Sequence, residues 1–185
     1  MSAVAEALSS LADVTIDGVN VSGVPAINRR FPVTGLAKLH PRLRQKDVIN
    51  RPNRGVETDD TMRAFRLTRA DGSVTWLINA TLHTSVFRGS GYTADFPAYL
   101  SEVLEKTSTQ RPCLGVLFLQ GWAGDQAADI TKPIQPSIHP LRMLERLTFG
   151  EEFSRSDDIL DSVHLGRYIA DLLLKAPCVP LTGNR

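Results

Sequence analysis

Between Trp76 and Asp125 the sequence runs through an apolar strand, a histidine loop, an amphipathic helix, a second apolar strand and a glycine-aspartate loop. That order leaves few folds open. The first strand, Trp76-Leu77-Ile78-Asn79-Ala80-Thr81-Leu82, is rich in β-formers and stops at His83-Thr84-Ser85, where polar side chains begin. Asp95 can accept hydrogen bonds from the free N–H groups of a first helical turn, and Pro97 is tolerated there. Phe96, Tyr99, Leu100, Val103 and Leu104 then fall at i, i+3, i+4, i+7 and i+8, one face of a 3.6-residue period. Leu114 to Leu119 is apolar on both faces, which predicts a central strand. A strand, a crossover helix and a second strand of this length predict a parallel pair, and open α/β sheets bind ligands at the carboxyl ends of such strands. His83 and Asp125 are then expected to share one edge of the sheet.

The rest of the chain fits around this unit. Ala70-Asp71-Gly72-Ser73 is a hairpin signal that joins the alternating run Thr61 to Thr68 to Val74 to Leu82. Ala3 to Leu11 is rich in alanine and leucine and can form a short helix, and Val14 to Val21 alternates like an edge strand broken at Gly18. Pro25 to Gly55 holds four prolines and eight basic residues without a sustained period, and is expected to be a long basic loop over the surface. Thr131 to Pro140, with three prolines, reads as another loop. Pro140 starts a helix that ends at Gly150, and a clearer helix is expected from about Asp158 to Lys175, where Pro177 forbids continuation and Gly166 allows close packing. The tail from Val179 to Arg185 is expected to fray.

At 185 residues the chain is long enough for one real core and short for two, so one domain over residues 1 to 185 is expected. Its formal charge of +1, mixed in sign along the chain, recommends neither nucleic acid nor an anionic membrane as a partner. The two cysteines, Cys113 and Cys178, are too few for a disulfide framework. No stretch reaches the length needed to cross a bilayer, and the first fourteen residues lack a basic head and a continuous apolar run. The expectation is a soluble, cytoplasmic protein, with the oligomeric state left open.

Among the histidines, His83 is best placed for chemistry, at a strand end beside two hydroxyl residues. Taken alone it reads more readily as a structural residue, because no H-x-H or H-x-x-x-H partner lies nearby. Gln120-Gly121-Trp122-Ala123-Gly124-Asp125 carries more information: glycines directly after a buried strand let backbone N–H groups approach a ligand or an oxyanion. The same residues also make a tight turn with Asp125 as a cap. The loop lacks the third glycine of a dinucleotide fingerprint, and the chain has no G-x-S-x-G elbow.

Asn28-Arg29-Arg30, Thr81-Leu82-His83-Thr84, Ala94-Asp95-Phe96-Pro97-Ala98-Tyr99-Leu100 and Phe118-Leu119-Gln120-Gly121-Trp122-Ala123-Gly124-Asp125 resemble, in order and spacing, the neutral/alkaline non-lysosomal ceramidase family. The resemblance covers Ala26 to Asp129, with a weaker echo at Leu165-Gly166-Arg167. It implies an α/β fold, a mixed sheet with flanking helices, and zinc-dependent hydrolysis of the N-acyl amide bond of a sphingolipid or related lipid amide. It also implies that His83 matches a zinc-ligand histidine and Arg29 an arginine lining the active site. By the same resemblance Gly121, Gly124, Asp125 and Ala127 belong to the segment that positions and attacks the scissile carbonyl.

Three departures qualify what the resemblance implies. Ala127 stands where the family has a nucleophilic serine, although a metal-bound water can replace a hydroxyl in principle. The family's upstream His-x-His has no counterpart before Asn28, and its downstream glutamate and tyrosine would fall beyond Arg185. One histidine does not hold zinc tightly, so zinc is not expected to bind firmly to these residues by themselves. The expectation is the middle part of a ceramidase-like catalytic domain, truncated or divergent, with Arg29 and Asp125 as catalytic candidates and His83 as the metal candidate. A binding module or non-catalytic remnant that keeps the fold without a complete metal site is the alternative.

Overall fold

The computed structural model describes residues 2–107, 112–154 and 159–181. Strands β1 (Val14–Val21), β4 (Met62–Arg69), β5 (Val74–Ala80), β6 (Cys113–Gln120) and β10 (Val179–Pro180) make one sheet in the order β10-β1-β4-β5-β6. Strands β2 (Ala26–Pro32), β3 (Val48–Asn53) and β7 (Gln126–Ala128) make a second, ordered β3-β2-β7, and β8 (Thr131–Pro133) pairs with β9 (Glu151–Phe153). The helices are α1 (Ala3–Ser9), α2 (Phe96–Thr107), α3 (Pro140–Phe149) and α4 (Leu160–Lys175). The class is α/β, with mixed sheets and flanking helices.

The hairpin forms as Asp71-Gly72 dictates. Gly72 takes φ +82 at the turn, the Asp71 side chain accepts the Ser73 N–H at 2.8 Å, and β4 pairs antiparallel with β5. β5 then pairs parallel with β6, with α2 as the crossover. α2 buries Phe96, Leu100 and Leu104, and Phe96 meets Phe118 of β6 edge to face at 5.3 Å. α4 adds Leu165, Ile169 and Leu173, so the core is one sheet face covered by two helices. Each such side chain contributes about 1.5–3 kcal/mol when fully buried. A Cβ on Gly166 would stand 2.5 Å from the Phe96 carbonyl oxygen and 2.9 Å from the Leu100 nitrogen, so glycine is what lets α4 touch the α2 backbone.

Several expectations are overturned. Residues 25–55 are not one long loop, because β2, a 3-10 turn (Gly35–Leu39) and β3 lie within them. β2 and β3 shift register between Asn28↔Asn53 and Arg30↔Asn50, which leaves an extra residue on β3 at Arg51-Pro52. A bulge on an edge strand is where a proline is tolerated. β6 is not central: it is the last strand of its sheet among the described residues, with Leu114, Leu117 and Leu119 exposed. β1 is neither an edge nor broken at Gly18, since β10 flanks it and Gly18 pairs with both Phe65 and Val179. The unbroken ladder with β4 carries the strand through Gly18, and the Leu181 side chain lies over the bare glycine, 3.4 Å from where a Cβ would stand. Thr131–Pro133 is a strand inside the segment read as a loop. Asp158, the expected helix start, and residues 182–185 of the expected fraying tail lie outside the described residues, whereas Val179–Pro180 is paired.

Candidate active site

Ala80 and Gln120 are register partners at the ends of β5 and β6, so the residues after both strands leave the sheet at the same end. The two departing segments touch at Gly121. Its N–H donates to the Ala80 carbonyl at 2.8 Å, and a Cβ there would stand 2.9 Å from Thr81 Oγ1 and 3.3 Å from that carbonyl. A side chain at Gly121 would crowd the close crossing of the two segments, which glycine leaves open.

β7 brings the chain back antiparallel to β2, with Ala127 opposite Ile27, and this places the Gly124-Asp125 turn against Arg29. The Arg29 N–H donates to the Asp125 carbonyl at 2.7 Å. The Arg29 guanidinium donates to the Gly124 carbonyl through Nε at 3.2 Å and Nη2 at 3.0 Å, and Arg30 Nη2 donates to the same oxygen at 3.3 Å. Asn28 Nδ2 donates to Asp125 Oδ2 at 3.3 Å, while Asn28 Oδ1 accepts the Arg30 N–H at 2.8 Å. Every described peptide bond here is trans. In a trans peptide the C=O of one residue and the N–H of the next point opposite ways, so holding the Gly124 carbonyl toward the arginines turns the Asp125 N–H away from them.

His83 follows β5 by three residues and lines a cavity of about 20 Å³ with Ser85, Arg88, Ala127, Ile130 and Phe153 among its walls. That space suits one water-sized group. The His83 Nε2 atom is buried without a hydrogen-bond partner. Burial, and next the positive charge of Arg29, push the imidazole pKa below its ordinary value, so the ring is neutral at neutral pH. Burial and the neighbouring Arg30 likewise lower the Arg29 guanidinium, while Asp125 opposes them. The guanidinium stays charged all the same.

Asp95, expected as a helix cap, also fixes the loop that carries His83. Its carboxylate is 3% exposed and accepts four hydrogen bonds: Oδ2 from the N–H of Val86 (2.7 Å) and Phe87 (3.2 Å), Oδ1 from the Phe96 N–H (2.7 Å) and Ser162 Oγ (2.7 Å). One side chain thus joins the His83 loop, the start of α2 and the start of α4. Asp95 holds φ +56, which aspartate tolerates better than most residues. An aspartate facing a glycine-bearing loop upstream of a helix was the available signal; Ser162, 67 residues away, gave none.

Arg29, His83, Gly121, Gly124, Asp125 and Ala127 therefore gather at one end of the sheet. The zinc that the family resemblance implies needs three or four donors held together. Among the described residues no group of three or more His, Cys, Asp or Glu side chains is so arranged, and His83 supplies one imidazole. The described residues do not fit a zinc site.

Neither a protein-family model nor a curated protein sequence matches the chain. Among solved structures it is similar to the neutral ceramidase from Pseudomonas aeruginosa, with a TM-score of 0.58 and 13% identity over 94% of this chain and 24% of that one. It is similar also to a ceramidase complexed with C2, with a TM-score of 0.58 and 14% identity over 93% of this chain and 23% of that one. The chain spans about a quarter of the length of either enzyme chain. What it shares with them is the fold: an α/β arrangement of sheets and flanking helices with the likeness of part of a ceramidase.

Proposed function

We propose that this chain is a ceramidase-like amide-hydrolase domain whose substrate is an N-acyl amide of a sphingolipid or related lipid. The observation that carries the reading is the convergence of Arg29, His83 and the Gly121 to Asp125 loop on one sheet end, in a chain whose fold is similar to a ceramidase. Arg29 and Arg30 hold the Gly124 carbonyl, and the Asp125 N–H turned away from them donates to the amide carbonyl oxygen. Such a fixed backbone donor is worth most where charge develops on that oxygen. His83, neutral, supplies a lone pair at the reacting end. Ala127 offers no nucleophile, so water attacks the carbonyl carbon as its proton passes to His83, and that proton goes on to the amine nitrogen as the C–N bond breaks.

Ala127 also favours a second reading, in which the domain binds lipid amides without turning them over. One experiment separates the two: binding of a short-chain ceramide by calorimetry beside release of its fatty acid, for the wild-type chain and His83→Ala. Turnover that disappears in His83→Ala carries the hydrolase reading. Saturable binding without turnover carries the binding reading, and absence of both removes them together.

A further inference from the structure

A second cavity, of about 260 Å³, opens beside the His83 cavity and shares Arg88 and Phe153 with it. Its volume lies just under the roughly 300 Å³ at which small-molecule pockets begin, enough for a polar headgroup and too little for a lipid chain. The charges around it divide into two kinds. Arg51, Arg142, Glu145 and Glu152 form a closed ring: Arg51 to Glu152 at 3.0 Å, Arg51 to Glu145 at 3.4 Å, Arg142 to Glu145 at 2.7 Å and Arg142 to Glu152 at 2.8 Å. Two cations and two anions at these distances neutralise one another. Lys46 and Arg88 also line the cavity, and among the described residues neither side chain makes an ion pair or a hydrogen bond. Arg88 stands close enough for its charge to be felt at Arg29, so the uncompensated charge belongs to the same end of the molecule as the amide site.

We infer that this cavity binds an anionic group, a carboxylate or a phosphate, carried on the amine half of the amide whose carbonyl lies at His83, with Lys46 and Arg88 as its ligands. The inference rests on the amide-hydrolase reading for the position of the carbonyl and on the cavity itself for the anion. A neutral headgroup gains nothing from two free cations. An oxyanion removes their mutual repulsion and accepts charge-assisted hydrogen bonds from both, and Arg can offer two in parallel. The glutamates do not repel the ligand, because both are occupied by Arg51 and Arg142.

The test is calorimetric titration of the chain with four probes: inorganic phosphate, N-octanoylglycine, N-octanoylethanolamine phosphate and neutral N-octanoylethanolamine. The expected result is that both anionic amides bind at least about tenfold more tightly than the neutral one, and that the advantage shrinks between low and physiological salt. Lys46→Gln removes most of that advantage and leaves the neutral amide unchanged, while Arg88→Gln, whose side chain also borders the His83 cavity, removes the same advantage. Both residues are exposed, and thermal melts of the variants are expected to match the wild type. Comparing the glycine and phosphate arms tells which oxyanion is preferred. Equal affinity for neutral and anionic amides overturns this inference and leaves the amide reading standing. Phosphate binding that both variants lose, without binding of the neutral amide, keeps the anion site and overturns the amide reading. Binding of none of the four overturns both.

Discussion

Arg29 Nη2 stands 3.0 Å from the Gly124 carbonyl oxygen, a contact across 95 residues of sequence, and Arg29 Nε reaches the same oxygen at 3.2 Å. Arg30 adds a third donor to that atom. Replacing Arg29 by methionine keeps the stem and removes two of the three donors. The expected outcome is a mobile turn: lower NMR order parameters at Gly124 and Asp125, weaker binding of short-chain ceramide, and a stability loss of about 1 kcal/mol. Unchanged order at both residues would show that β7 pairing alone holds the turn.

Asp95→Asn places an N–H₂ group where a carboxylate oxygen now accepts from backbone N–H groups or from Ser162. Donor then faces donor in a buried site. A loss of about 3 kcal/mol is expected in urea unfolding, against about 1 kcal/mol for Ser162→Ala. If the two variants unfold at the same urea concentration, the carboxylate is not what joins the His83 loop to the helices.

Gly166→Ala puts a methyl group 2.5 Å from a backbone oxygen and 2.7 Å from Tyr99 Cβ. Alanine is the better helix former by about 1 kcal/mol, so propensity alone predicts stabilisation. The clash is with backbone that cannot rotate aside, so the helices must part. We expect a net loss of about 1–3 kcal/mol in thermal or urea unfolding. A rise in melting temperature would contradict the close approach of α2 and α4.

His83 makes stability depend on pH with a definite sign. Its folded pKa lies below the ordinary value of 6.5, so below that value the unfolded chain takes up a proton more readily than the folded one. Stability is complete above pH 6.5 and falls as pH drops from there toward the lowered folded pKa. His83→Leu removes this contribution, and it also removes a buried Nε2 without a partner. The variant is expected to be more stable than wild type at pH 5.5, with a smaller gain at pH 7.5, as read by urea midpoints. An equal gain at both values would mean that the ring does not titrate in this window.

The sequence spoke clearly where local chemistry and tertiary packing agree. Asp71-Gly72 specifies its turn whatever surrounds it, and the α2 period survives because the same face meets both β6 and α4. Residues 25–55 were opaque because their organising partners lie far along the chain. Arg51 pairs with Glu145 and Glu152, and Arg54 with Asp129 and Glu151, about 75 to 100 residues away. Read locally, those arginines look like a solvated surface. The bulge at Arg51-Pro52 likewise turns a strand breaker into an accommodated edge residue. At the site, His83 and the Gly121 to Asp125 loop were visible as strand ends. Lys46 and the Asp95 to Ser162 bond were not, since nothing local marks which charge stays unpaired or which serine reaches a buried carboxylate.

β6, the last strand of the larger sheet among the described residues, exposes Leu117 and Leu119 by 57% and 43% and leaves one side of its backbone without a neighbouring strand. An eight-residue, largely apolar border that no strand pairs with on one side among the described residues is a seed for sheet growth. No charge interrupts it, since Cys113 to Gln120 contains neither lysine nor acid. Leu117→Lys would place a charge on that border without touching the core, and is expected to raise the concentration at which light scattering first detects self-association.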